Sequence, residues 1–97
     1  MYVIVWRFAA KRGCEAEFEA AYGPRGRWSN FFRTCDGYLG TELWRGENGS
    51  WITVDRWRSE EDYRRFRAER LADYQSLDRE LETLTAEETH IGGFTAV

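Results

Sequence analysis

The sequence predicts an α+β fold in which one antiparallel sheet carries its helices on one face, the ferredoxin-like split βαβ plan. Residues 2–10 are rich in β-branched and aromatic side chains, as strands are. Asn48–Gly49 lies between two further strand-like segments, 36–46 and 51–58, and is a strong hairpin signal. A helical pattern of apolar residues begins after Ser59. The resulting order is β-α-(α)-β-β-α-β.

The first half of the chain predicts one strand and two helical segments. Both faces of strand 2–10 are largely apolar, so we expect a sheet that is buried on both sides. Residues 14–22 predict a short helix, because Phe18 and Tyr22 are four residues apart. Residues 23–35 predict a second helical segment, in which aromatic residues recur at helical spacing.

The second half predicts a hairpin, a long helix and a last strand. Ser59 suits the N-cap of the helix, and Asp62 three residues later resembles a capping box. The apolar spacing predicts a helix that reaches the mid-80s, with a break near 83–85. Residues 89–97 predict the final strand, and Gly92–Gly93 indicates a β-bulge.

Composition predicts a single globular domain over 1–97. Apolar residues make up 42% of the chain against 32% charged, a balance that is not typical of disorder. The net charge of −3 gives no indication of nucleic-acid binding. Aromatic residues make up 16%, with five Trp, which is more than a core of this size needs. The excess rings predict a pocket or a subunit interface.

The chain shows no targeting or membrane signal, so we expect a cytoplasmic protein. No basic segment or cleavage site precedes the first strand, and no apolar run approaches the ~20 residues of a membrane span. Cys14 and Cys35 do not form a CxxC motif, and we expect both to be reduced and to serve in packing.

Among polar residues, none forms a strong site pattern. His90 is the only histidine, so a strand histidine that makes a hydrogen bond is favoured over a metal ligand. The basic run at 64–70 is interleaved with acids and is typical of a solvated helix face.

The aromatic residues are the remaining candidates for a site. Each one alone is best explained as core, but as a group they frame the space between sheet and helices: Trp6, Phe8, Tyr22, Trp28, Phe31, Phe32, Trp44, Trp57, Tyr63 and Phe66.

The stretch around Trp57 resembles a known family. Trp57 ends a strand, Ser59 follows two residues later, acids come next, and Tyr63 lies six residues after Trp57. Together with the strand GYLGTELWR and the hairpin, this layout resembles the antibiotic biosynthesis monooxygenase superfamily over residues 2–97. The resemblance implies a homodimeric α+β barrel, in which two sheets face each other. The two apolar sides of the first strand agree, because a monomer rarely exposes so large an apolar patch.

The resemblance also implies the chemistry. Some members of the superfamily oxygenate polycyclic phenols or anthrones with O2 and without metal, flavin or other cofactor, others oxidise small quinols, and others degrade haem. Trp57 and Tyr63 match pocket positions of the anthrone oxygenases, whereas Thr53 stands where those enzymes have an asparagine. Arg67 stands where the haem-degrading members have a histidine.

These matches lead to a site hypothesis. Trp57 donates its N–H to a substrate oxygen, and Tyr63 orients the substrate or relays a proton. Trp28 and Phe32 wall the pocket. Two residues are candidates for the base, Asp55, which strand parity places on the same face as Trp57, and His90. Trp6 and Phe66 complete the predicted substrate-binding set.

Two other classes of function stay open. One is a dimer of the same fold that binds haem or another ligand without catalysis. The other is a related enzyme, such as an isomerase or a muconolactone-type enzyme. Fold alone does not discriminate among the three classes, because one fold hosts many reactions.

Overall fold

The computed structural model describes residues 1–97, and its centre is a four-stranded antiparallel sheet. The strand order is β2-β3-β1-β4, so that β1 and β3 are central. Because β1 pairs with β3 on one side and with β4 on the other, the last strand joins the sheet at the edge opposite β2. The strands are β1 (Tyr2–Ala10), β2 (Tyr38–Arg45), β3 (Trp51–Trp57) and β4 (Thr85–Thr95).

The helices cover one face of this sheet. Phe8, Trp51 and Trp57 project from the strands into a core cluster, and residues of the helices such as Phe18 and Phe66 fill its other side. The predicted α+β ferredoxin-like fold is therefore confirmed. The helices are α1 (Glu15–Tyr22), α2 (Arg27–Phe32), α3 (Glu60–Glu69) and α4 (Leu71–Leu81), and a 3-10 turn (Glu82–Leu84) leads into β4.

The expectation of one long helix after Ser59 is wrong, because a kink at Arg70 divides it into α3 and α4. Arg70 leaves helical geometry with φ −117° and ψ 26°. Its guanidinium donates to Thr34 Oγ1 at 2.9 Å and lies over the ring of Phe31. These contacts with the α2 region fix the kink, and sequence spacing does not report them.

The last strand begins earlier than predicted, at Thr85 instead of residue 89. Its first residues are all polar, and Thr85 is the one among them that is buried, so no apolar alternation marks this segment. Pairing with β1 makes it a strand. The bulge indicated by Gly92–Gly93 is present nearby. Val5 pairs with Gly92 and Trp6 pairs with His90, which leaves Ile91 as the extra residue.

The predicted N-cap of α3 is confirmed, whereas the capping box is only half formed. The hydroxyl of Ser59 accepts the backbone N–H of Asp62 at 3.1 Å. The carboxylate of Asp62 does not bond back to the Ser59 backbone. It accepts from the guanidinium groups of Arg58 and Arg65 at 2.7 and 2.9 Å. No helix is both long and apolar enough to cross a bilayer.

Candidate active site

A cleft opens between the helix-covered face of the sheet and helices α1, α2 and α4. It holds about 430 Å³ of space, part of it open to solvent at the mouth. Strands β1, β3 and β4 form its floor. Successive side chains of a strand point to opposite faces of the sheet, so every second residue of these strands faces the helices and the cleft. The wall residues are Trp6, Phe8, Tyr22, Trp28, Phe32, Thr53, Asp55, Tyr74, Asp78 and Glu88.

Aromatic rings make up most of these walls. Trp28 lies at the centre, with ring centroids 5.7 Å from Phe32 and 5.0 Å from Tyr74. Phe8 and Tyr22 continue the aromatic surface at 4.9 Å. Rings at these separations interact favourably, and their flat faces complement a planar aromatic ligand.

Asp55 places a carboxyl group on the floor of this apolar cleft. Thr41 Oγ1 donates a hydrogen bond to Asp55 Oδ1 at 2.7 Å. The Thr41 oxygen lies 2.6 Å from the Tyr38 hydroxyl, which must donate because the Thr41 proton is already used. Burial raises the pKa of Asp55 to about 6, and the hydrogen bond from Thr41 opposes only part of that shift. A carboxylate with such a pKa is ionised at neutral pH and is a stronger base than an ordinary aspartate.

Two further acids lie on the cleft walls, and the sequence analysis missed both. Asp78 comes from α4 and Glu88 from β4. Burial raises the pKa of Asp78, and the charge of Glu82 adds to the effect. Burial likewise raises the pKa of Glu88, with a further contribution from Asp78. The sequence carries a signal for both acids. Asp78 is one helical turn from Tyr74, and Glu88 is two residues from His90, so it lies on the same face of the strand.

Trp28 carries a buried indole N–H beside the cleft wall. The indole N–H groups of Trp28 and Trp57 make no hydrogen bond of normal geometry, although the Trp28 N–H lies near enough to the Tyr22 hydroxyl to lower the pKa of Tyr22 against the effect of burial. Buried polar groups are normally paired, so an unpaired N–H beside a cleft is a candidate contact for a ligand oxygen. No group of three or more His, Cys, Asp or Glu side chains is arranged to hold a metal ion.

Comparison with known proteins places the chain in a family. Residues 1–75 match the model of the family described as antibiotic biosynthesis monooxygenase. The protein belongs to this antibiotic biosynthesis monooxygenase family. Among proteins with curated functional descriptions, none matches the sequence significantly.

Several solved structures are similar to the chain over nearly its whole length. SnoaB, a cofactor-independent oxygenase from Streptomyces nogalater, aligns with a TM-score of 0.75 and 26% identity, over 99% of this chain and 92% of that one. A variant of SnoaB aligns with a TM-score of 0.77 and 27% identity, over 98% of this chain and 91% of that one. A monooxygenase encoded by ActVA-Orf6 of Streptomyces coelicolor, in complex with nanaomycin D, aligns with a TM-score of 0.66 and 22% identity. The alignment covers 99% of this chain and 87% of that one, and it shows the shared fold.

In the present chain, the residues that the sequence predicts for the site fall into two groups. Trp6, Trp28, Phe32 and Asp55 share the cleft. Trp57 does not line it. Its side chain is 0% exposed and lies in the core behind the cleft wall.

The remaining predicted residues lie around Trp57 or at the sheet edge. The Phe66 ring stacks on Trp57 with centroids 5.0 Å apart, and Tyr63 contacts the Trp57 edge at 5.6 Å. Tyr63 borders a separate shallow depression and accepts a hydrogen bond from Arg67 at 3.2 Å. His90 is exposed and packs against Trp6 at 4.8 Å, outside the cleft lining. Catalytic roles for Trp57 and Tyr63 stay predictions.

Proposed function

We propose that the protein is a homodimeric, cofactor-independent monooxygenase that oxidises a planar phenol, quinol or anthrone-type substrate with O2. The observation that carries the proposal is Asp55, a carboxyl group with a raised pKa on the floor of an aromatic cleft. Family membership and the likeness to SnoaB, a cofactor-independent oxygenase, support the reaction class.

The substrate binds flat between the rings of Trp6, Trp28 and Phe32. Asp55 removes a proton from an activated C–H or O–H group, and Thr41 holds the carboxylate in place for this step. The Trp28 N–H, which makes no hydrogen bond of normal geometry within the protein, donates to the substrate oxygen on which negative charge develops. Burial raises the pKa of Tyr74, so its hydroxyl stays protonated and is a second donor.

The resulting anion is electron-rich enough to reduce O2 directly. One electron passes to O2, and the two radicals combine into a peroxide at a carbon that still carries one hydrogen, the former methylene carbon of an anthrone or a ring carbon of a phenolate. Loss of water then gives a ketone or quinone. For a methylene carbon, one oxygen atom of O2 stays in the product and the other leaves as water with the two hydrogens. The substrate supplies all the electrons, so the protein supplies only the base, the donors and a site that excludes water.

Oxygen uptake by metal-stripped, flavin-free protein tests the proposal, with an anthrone and a panel of quinols as substrates. We expect uptake without added cofactor and a loss of about 10²–10⁴-fold in Asp55→Asn, the range for removal of a general base. The wild-type rate should fall below pH about 6, where Asp55 becomes protonated. Full turnover in Asp55→Asn would contradict the assignment of the base.

The same experiment discriminates the other two classes of function. A proton-transfer enzyme such as an isomerase would exchange substrate hydrogen for solvent deuterium without consuming O2. A binding protein would do neither, and a haem titration would show whether it binds haem. Each result would replace the oxygenase proposal.

A further inference from the structure

Two hydroxyl groups in series connect Asp55 to the neighbouring strand β2. Thr41 lies opposite Asp55 in the register of the two strands, and its Oγ1 donates to Asp55 Oδ1 at 2.7 Å. The Tyr38 hydroxyl lies 2.6 Å from the same Thr41 oxygen. Thr41 is only 8% exposed, so the middle of this network is shielded from water. Tyr38, Thr41 and Asp55 therefore form one continuous hydrogen-bond network.

The direction of both hydrogen bonds follows from the number of protons. An ionised carboxylate only accepts, so the single hydroxyl proton of Thr41 goes to Asp55. The Tyr38 hydroxyl must then donate to the Thr41 oxygen, because no other proton lies between the two. Hydrogen bonds in series polarise one another, so the bond from Tyr38 strengthens the bond from Thr41 to Asp55.

A β-bulge brings Tyr38 to the side of the sheet where Asp55 lies. Tyr38 and Thr41 are three residues apart, and regular alternation along a strand would place them on opposite faces. The register of β2 shifts between Tyr38 and Gly40, and the extra residue, Leu39, restores Tyr38 to the face of Thr41. Bulges of this kind often lie next to active sites, where they redirect a side chain.

Packing then fixes the position of the Tyr38 hydroxyl. The Tyr38 ring contacts Phe32 and Trp57, each with ring centroids 5.5 Å apart. Trp57 is fully buried, so it gives the Tyr38 ring a firm support. A hydroxyl on a supported ring makes its hydrogen bond with little loss of conformational entropy.

We propose that Tyr38 is a positioning residue of the site and that it acts on Asp55 through Thr41. The network engages Oδ1 of Asp55, which leaves Oδ2 to receive the proton of the substrate. It also stabilises the ionised carboxylate, so that the base stays competent at neutral pH although it is buried. This inference rests on the proposed function, in which Asp55 is the base.

Other ionisable groups also act on Asp55 from the elements around the cleft. These groups are Tyr22 of α1, Tyr74 and Asp78 of α4 and Glu88 of β4, together with Arg67 of α3, whose guanidinium lies 4.0 Å from the centroid of the Tyr74 ring. Substitutions at Tyr38 and Thr41 leave all of these groups in place. A difference in the pKa of Asp55 among such variants therefore reports the network.

Carbon-13 NMR of the aspartate carboxyl groups measures the pKa of Asp55 in the full chain without substrate. The signal that is missing from Asp55→Asn assigns the residue. We expect Thr41→Val to raise the pKa of Asp55 by about 1, because the carboxylate loses its hydrogen bond. Tyr38→Phe should raise it by about 0.3, because it only weakens that bond. Tyr38→Phe should add nothing in the Thr41→Val background, since the connection to Asp55 is already broken.

Tyr2→Phe is the matched control for Tyr38→Phe. Tyr2 lies opposite Trp57 on β1 as Tyr38 does on β2, but its hydroxyl lies against Gly93. Loss of this hydroxyl should leave the pKa of Asp55 unchanged. Thr41→Ser keeps a hydroxyl at the middle of the network, so it should keep most of the wild-type value.

Three results would overturn the inference. These are an unchanged pKa of Asp55 in Tyr38→Phe, an equal rise in Tyr2→Phe, and a further rise when Tyr38→Phe is added to Thr41→Val. The titration involves no turnover, so it fails or succeeds separately from the oxygenase proposal. The expected order of pKa values without any oxygen uptake would keep the network and reject the reaction.

Discussion

Asp55 is unfavourable for folding, because its carboxylate is buried, but the proposed reaction uses it as the base. Its carboxylate lies on an inward-facing strand position, where an apolar side chain would pack without any loss of hydration. Burial raises its pKa from 3.8 to about 6, so the folded chain holds the Asp55 proton more tightly than the unfolded chain does. Stability from this group is therefore greatest at low pH and falls as the pH rises from about 4 through about 6.

We expect Asp55→Asn to stabilise the fold while it lowers turnover by about 10²–10⁴-fold. Above pH 6 the variant should gain on the order of 2 kcal/mol, after allowance for the partial exposure of Asp55 to the cleft. Below pH 4 it should gain little, because Asp55 is then neutral in both states. Urea unfolding at pH 4 and pH 8 measures the difference. A variant that is less stable than the wild type at pH 8 would mean that the Thr41 hydrogen bond outweighs the cost of burial.

Trp28 and Trp57 form a natural pair for comparison, because both have a buried and unpaired indole N–H. Only Trp28 lines the cleft. We expect Trp28→Phe to lower kcat/KM by about 10²-fold through loss of a donor to the developing oxyanion. Trp57→Phe should change kcat/KM by less than about threefold, since Trp57 lies behind the wall.

Thermal unfolding of both variants is the control for this comparison. Each substitution removes ring volume and also an unpaired polar group, so the two losses of stability should be similar. A large loss of turnover in Trp57→Phe alone would instead restore the role that the sequence pattern assigns to Trp57.

At the scale of elements, local sequence signals located most boundaries, and tertiary contacts decided the rest. The Ser59 cap and the hairpin at Asn48–Gly49 were predictable, because each is encoded within a few residues. The kink at Arg70 was not, because it depends on Thr34 and Phe31, far away in sequence.

The candidate site was likewise predictable only in part, because part of it depends on tertiary contacts. Strand parity was enough to place Asp55 on the same side of the sheet as the helices, and helical spacing grouped Trp28 with Phe32. Whether a ring lines a cleft or lies behind its wall depends on how the helices lie over the sheet, which spacing does not define. Trp57 and Phe66 are accordingly buried in the core, while Asp78 and Glu88 reach the cleft.

The turn before β2 joins the sheet to the start of α3, and Gly37 is its critical residue. Gly37 has φ +89°, and a Cβ there would lie 2.6 Å from the Cβ of Asp62. Asp62 is held by Arg58 and Arg65, so it has little freedom to move away. We expect Gly37→Ala to cost about 1–3 kcal/mol for the backbone strain and more for the clash.

Gly13→Ala is the matched control for that measurement. Gly13 has nearly the same φ, +88°, but nothing lies within 4 Å of the added Cβ. Chemical denaturation of the two variants should therefore show a larger loss for Gly37→Ala, and the difference measures the contact with Asp62. Equal losses would show that the turn relaxes away from α3.

At the scale of the whole molecule, the sheet face that no helix covers carries large exposed apolar side chains beside the Arg56–Glu42 salt bridge. Trp44 is 59% exposed and Phe94 is 50% exposed, and Ile52, paired with Trp44, is also exposed. Val3 and Val5 lie between them on the central strand. Large apolar side chains on a continuous sheet face are typical of an interface, so we propose that a second copy of the chain covers this face.

Sedimentation velocity tests this dimer. The wild type should sediment as a dimer at about 10 µM, because two sheets of this size can bury the ≈800 Å² per partner of a stable interface. Trp44→Glu should sediment as a monomer, since it places a charge in the apolar face. Leu71→Glu, an equal change at an exposed apolar residue of α4, should leave the dimer intact. A monomeric wild type would contradict the proposal.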